Sequence, residues 1–305
     1  MLSLRLVIAH AILIPVLCVT AADYYWSAEA RGAWLYPLGA LLFLVAAVEL
    51  HQMLSVACSG LNTRCLLSAA ALPILALAWP LYRRLWGHEP VAQPHEWFCY
   101  SSAGLFAALA LLLAVEMARF DQPRGDAVRR VAAAMLVLVY LMVPLTFLIA
   151  TRWHQENTTG MLALVYLVFV VKISDTGAYF IGSNFGRRKL APRLSPKKTV
   201  EGAVGGLLFA GLAAALAYGL IRPLLCEAAN PTTLAGYCRW TVVGVLLGAV
   251  AIVGDLAESL LKRDVGRKDS GDWLPGLGGA LDLLDSLLLA APVNFALWYG
   301  GWIST

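Results

Sequence analysis

The sequence predicts an all-α, polytopic membrane protein, and three observations carry that expectation. The chain of 305 residues is 60% hydrophobic and only 14% charged, with a mean hydropathy of +0.72, a composition outside that of soluble globular domains. Apolar runs of about 20 residues, the length a helix needs to cross a hydrocarbon core of roughly 30 Å, recur from end to end. Alternation of apolar and polar residues with β period is missing, which argues against a barrel.

Nine such runs are expected as transmembrane helices: 4–22, 33–50, 65–82, 98–117, 129–150, 159–182, 202–222, 239–261 and 281–301. The first also fits a secretory signal, because Arg5 precedes it and Ala21 and Ala22 follow. The first helix of a polytopic protein has the same pattern, and that reading is adopted. Basic residues set the orientation. With the amino terminus in the cytoplasm, the inside receives Arg5, Arg64, the arginines of 119–130, the cations of 187–198 and those of 262–268. The outside receives Arg31, Arg83, Arg84, Arg152, Arg222 and Arg239, so the carboxyl terminus is expected outside, with Arg83 and Arg84 as exceptions.

The formal charge of +4 therefore reflects topology and gives no reason to expect a nucleic-acid partner. The six cysteines form no C-x-x-C pair and no zinc spacing with histidine. Cys226 and Cys238 bracket an outside loop where a disulfide is an open alternative. One short chain without a long soluble extension fits a bacterial inner membrane.

The two halves differ in character. Residues 1–150 read as a transmembrane scaffold whose helix interiors hold almost nothing ionisable, whereas residues 151–305 carry charges inside or at the ends of helices. Such charges are costly in a bilayer unless they face protein or water. In the sixth run Lys172, Asp175, Thr176 and Tyr179 fall on one helical face, and the eighth repeats the spacing with Asp255, Glu258, Ser259 and Lys262. The ninth opens with Asp282, Asp285 and Ser286 at i, i+3 and i+4.

Polar stripes also serve as interhelical hydrogen-bond glue, and carboxylates at a helix N-terminus complement its dipole. Three stripes toward one side, each beside a basic, glycine-containing loop, favour a site. The loops read "GSNFGRRKLAPRLSPKKTVEG" and "KRDVGRKDSGDWLPGLGG". Cations and exposed glycine N–H groups are what polyphosphate binding requires. Asp255 and Asp282 supply carboxylates for magnesium, a hard cation shared with phosphate oxygens. Neither loop is a P-loop or a dinucleotide motif, and the glycine pairs 202/206 and 244/248 have the spacing of close helix contacts. The five histidines all lie in or at the edge of the scaffold half, so no Ser-His-Asp arrangement competes. These features point to phosphoryl or nucleotidyl transfer on a lipid, at the cytoplasmic surface.

At these residues the chain resembles the integral-membrane phosphatidate cytidylyltransferases, or CDP-diacylglycerol synthases. The signature runs from Ser259 through Lys262–Arg263, Lys268–Asp269, Gly271, Leu274–Pro275 and Gly278–Gly279 to Asp282 and Asp285, and a second match is "SDTGAYFIG" with "KLAPRLSPKKTVEG". The resemblance implies CTP and phosphatidate, or a related lipid phosphate, as substrates, with CDP-diacylglycerol and pyrophosphate as products. It also implies a magnesium-centred site with a second cation as an alternative, contact with membrane lipids, and a homodimer. Carried over by position, Asp255 and Asp282 are metal ligands, and Ser259 and Lys262 lie beside the phosphates. Lys197 and Lys198 reach the triphosphate, Asp269 organises the loop, and Asp175, Arg263, Lys268, Gly278 and Gly279 complete the substrate-binding set.

The chain departs from the signature where Leu277 replaces a histidine, Leu283 an arginine and Ala280 a larger aliphatic residue. A CTP-dependent kinase or transferase acting on another lipid, and a non-catalytic lipid- or nucleotide-binding paralogue, are the alternatives those departures leave open.

Overall fold

A computed structural model describes residues 2–26, 31–58, 60, 62–85, 94–120, 126–226, 231–271 and 278–303. Leu274, Pro275 and Leu277 of the signature lie outside the described residues. In chain order the elements are α1 (Leu2–Trp26), α2 (Leu35–Ala57), α3 (Thr63–Leu85), α4 (Pro94–Ala118), α5 (Asp126–Arg152) and α6 (Asn157–Phe185). A hairpin of β1 (Lys189–Ala191) and β2 (Ser195–Thr199) follows, then α7 (Val200–Leu225), α8 (Leu234–Asp264) and α9 (Ala280–Tyr299). Among the described residues, eight helices, α2 to α9, are long and apolar enough to cross a bilayer. The protein is an integral membrane protein built almost wholly of helix. Most helices overrun the expected spans. The 31 residues of α8, at about 1.5 Å each, exceed a hydrocarbon thickness of roughly 30 Å by about half, which leaves its polar last turns room outside the hydrocarbon.

Two features were not expected from sequence. The hairpin is antiparallel with Lys189 opposite Thr199 and Ala191 opposite Ser195. In α7 the hydrogen bonds widen to i→i+5 over Ala217–Ile221, directly before Pro223, whose missing N–H interrupts the regular ladder.

The chain forms two compact units, Met1–Trp153 with Asp264–Leu283, and His154–Arg263 with Leu284–Thr305. In the first, Asp23 is buried and accepts Arg152 Nε at 2.7 Å and the N–H groups of Gly32 and Trp34 at 3.1 and 3.2 Å. Trp97 packs on Trp153, and Ser101 meets Thr146 at 2.6 Å. Helices α3 and α4 touch backbone to backbone at Gly104, where a Cβ would lie 2.5 Å from Pro73 Cα.

The second unit is joined by glycine. A Cβ on Gly206 would meet Ala178 and Ser174 at 3.1 Å, one on Gly244 would meet Ala214 at 2.3 Å, and one on Gly248 would meet Ala210 at 2.8 Å. Close backbone approach is how membrane helices gain dispersion contacts in a solvent that offers no hydrophobic driving force. The glycine pairs singled out in the sequence therefore pack helices. Tyr166, Tyr218, Trp240 and Trp298 form an aromatic cluster beneath them, with the Tyr166 hydroxyl donating to the Trp240 carbonyl at 3.1 Å. Cys226 and Cys238 are free thiols, so no disulfide joins them.

Candidate functional site

The carboxylates gather in the second unit, at the polar ends of α6, α8 and α9. Asp255 and Glu258 stand one turn apart on α8, and Asp285 faces them from α9; carboxylate oxygens of the three lie within 4.8 Å of one another. Gly254 makes the approach possible. A Cβ there would sit 2.7 Å from the Asp285 carbonyl oxygen, so the two backbones are already in contact.

Two carboxylates at that separation repel by about 3 kcal/mol at an effective dielectric of roughly 20. The protein offsets this with cations. Lys198 Nζ lies 2.5 Å from Asp255 Oδ2, and Lys262 Nζ donates to Glu258 Oε2 at 2.6 Å, the latter pair almost fully buried. A second layer follows on the α9 side. The amide and hydroxyl of Ser286 both donate to Asp285 Oδ1, and the hydroxyl also lies 3.3 Å from Asp175 Oδ1, which in turn faces Lys172 at 3.4 Å. Asp255, Asp175 and Lys172 remain about a third exposed, so the cluster opens to its surroundings.

The hairpin delivers Lys198. Thr199 caps α7 by accepting the Gly202 amide at 3.1 Å, Glu201 accepts the amides of Arg187 and Arg188, and Arg263 Nε donates to the Leu194 carbonyl at 3.1 Å. Strand geometry sends neighbouring side chains to opposite faces. Lys198 therefore turns to Asp255 while Lys197 is exposed. Ser259 and Lys262 are buried on α8 and Arg263 is exposed in its last turn; Lys268 and Asp269, beyond the helix, are exposed.

Asp282 was expected beside Asp255 as a ligand. Its Oδ2 accepts the Ser270 amide at 3.2 Å, the Ser270 hydroxyl at 2.7 Å and the Gly279 amide at 2.8 Å, all within the first unit. Among the described residues, the carboxylates grouped with Asp255 in the second unit are Glu258 and Asp285. Both lay on the polar stripes, and helical spacing alone does not say which member of a stripe meets a neighbouring helix. The donor set, three carboxylates with no sulfur or imidazole, suits a hard, oxygen-seeking divalent cation such as magnesium.

A model of the cytidylyltransferase family matches residues 5–299, nearly the whole chain. The chain belongs to the cytidylyltransferase family. Among curated proteins, it is 40% identical over 148 residues to the phosphatidate cytidylyltransferase of Haemophilus influenzae, a match covering 48% of this chain and 49% of the relative. It is 39% identical over 136 residues to the uncharacterized protein YnbB of Escherichia coli, covering 45% and 42%. It is 46% identical over 186 residues to the phosphatidate cytidylyltransferase of Brucella suis, covering 53% and 65%. The chain thus spans about two fifths to two thirds of the length of these curated relatives. Family membership places the acidic cluster and both basic loops inside the matched region.

Proposed function

We propose that this member of the family transfers the cytidylyl group of CTP to phosphatidate, giving CDP-diacylglycerol and pyrophosphate. The observation that carries the reading is the convergence of Asp255, Glu258 and Asp285 with Lys198 and Lys262 beside them. In the reaction a phosphatidate oxygen attacks the α-phosphorus of CTP, a new P–O bond forms, and the bond to the β-phosphate breaks with its electron pair leaving on pyrophosphate. Asp255, Glu258 and Asp285 would hold Mg2+, and the bound cation would draw charge from the phosphoryl oxygens.

The chain's own residues do the rest. Lys198 and Lys262 neutralise the triphosphate and the leaving group, and Lys172 balances Asp175 beside them. The exposed Lys197 and Arg263 raise the local potential for an anionic substrate. Eight apolar helices and bacterial relatives support a bacterial inner membrane, with these cations on the cytoplasmic side. A ninth span from α1, outward placement of the carboxyl terminus and homodimeric assembly belong to the same proposal.

Purified protein in detergent, given magnesium, phosphatidate and CTP labelled at the α-phosphate, is expected to release pyrophosphate and label the lipid. Release of CDP instead identifies a lipid kinase; CTP binding without any product identifies a non-catalytic paralogue. Leu277→His, restoring the side chain the signature carries, is expected to raise turnover in the same assay.

A further inference from the structure

Glu49 stands in α2, almost fully buried; apart from His51, the other buried residues of that helix are apolar. Its Oε1 accepts the Ala280 amide at 2.9 Å and its Oε2 accepts the Leu281 amide at 2.9 Å. The Ser270 hydroxyl lies between two carboxylates, 3.4 Å from Glu49 Oε2 and 2.7 Å from Asp282 Oδ2. All these groups belong to the first unit. Glu49 and Asp282 therefore fasten both ends of the segment 271–278 together, Ser270 on one side and the first turn of α9 on the other.

The glycines of the signature acquire a reason from this arrangement. A Cβ on Gly279 would lie 2.4 Å from Glu49 Oε2, and one on Gly271 would lie 2.9 Å from Glu49 Oε1. Gly278 has φ +90°, a conformation that side chains rarely adopt, and a Cβ there would fall 2.4 Å from Asp282 Oδ2. The carboxylates occupy the space that side chains would need. An anion at the free N–H groups of a helix start is also electrostatically favoured.

We propose that Glu49 is a positioning residue for the transfer reaction: it fixes the two ends of the signature loop and the first turn of α9, and so holds in place Asp282, which the family resemblance puts among the metal ligands. The kinetic half of this inference rests on the function proposed above. Glu49 touches no reacting atom in this scheme and acts through Ser270, Ala280 and Leu281.

The test uses the full chain in detergent or nanodiscs, with Glu49→Gln and Glu49→Asp compared by hydrogen exchange and by steady-state turnover of CTP and phosphatidate. Glu49→Gln is expected to speed exchange in 278–283 by about tenfold or more while α6 to α8 stay protected. It is expected to lower kcat by about 10- to 100-fold with the KM for CTP within about twofold, since misplacement of a working group acts on the chemical step. Glu49→Asp, which keeps the charge, should recover part of both. Unchanged exchange overturns the fastening. Faster exchange with unchanged kcat, or a change confined to KM, overturns the positioning role. A wild-type protein without turnover overturns the proposed function instead, and the exchange comparison still decides the fastening. Should Glu49→Gln not fold, Ser270→Ala removes the shared hydroxyl and is expected to show the same exchange change in smaller measure; no change there counts against the proposal.

Discussion

The chain buries acid in two different ways. In the first unit Asp23 is enclosed, fully buried and fed by Arg152 and two backbone amides. In the second, Asp255, Glu258 and Asp285 crowd together although they repel, and Asp255 keeps about a third of its surface open. A carboxylate surrounded by fixed donors serves the fold, because its charge is already answered inside the protein. Acids gathered around an opening, with lysines only partly answering them, are arranged to receive something charged.

That contrast can be broken at four points. Arg152→Ala leaves Asp23 buried without its guanidinium, and about 3–5 kcal/mol of stability should be lost in a detergent melt. The protein that remains folded should turn over at the wild-type rate; a parallel fall in kcat would mean that the enclosed pair also serves the chemistry. Asp285→Asn should do the reverse, lowering turnover by about 100-fold or more with little change in melting, because a preorganised charge at the reacting phosphates is lost. A large loss of stability with normal turnover would move Asp285 into the structural class. Lys198→Met should raise the KM for CTP by about tenfold, equivalent to about 1.4 kcal/mol of binding. An unchanged KM would show that the pairing with Asp255 is its whole role. Thr199→Ala removes the cap that sets the hairpin on α7 and should cost about 1 kcal/mol, visible as a small shift in melting.

Much of this was legible in the sequence. Length and hydropathy gave the helices because a bilayer demands about 20 apolar residues and punishes exceptions. The second half's polar stripes pointed to α6, α8 and α9, the helices that carry the acids. Helical spacing identifies a face but not the rotation of that face about its neighbours, so the grouping of Glu258 and Asp285 with Asp255 was not legible. The hairpin was invisible because strands of three and five residues carry no usable period. Glu49 was missed for a different reason. The first half was read as generic scaffold, yet a glutamate within "AAVELHQM" is an ionisable group in an apolar helix, which is itself a signal. Its partners lie more than 200 residues away, a separation no local pattern can bridge.

The bare seams at Gly206, Gly244, Gly248 and Gly254 bear on how this protein can change over time. Where helices pack this closely, even the smallest substitution is harsh, because one methyl group has nowhere to go. A scan of every position should therefore find its least tolerant sites in the second unit among residues that possess no side chain at all, while exposed bulky groups, such as Leu208 and Leu246, exchange freely.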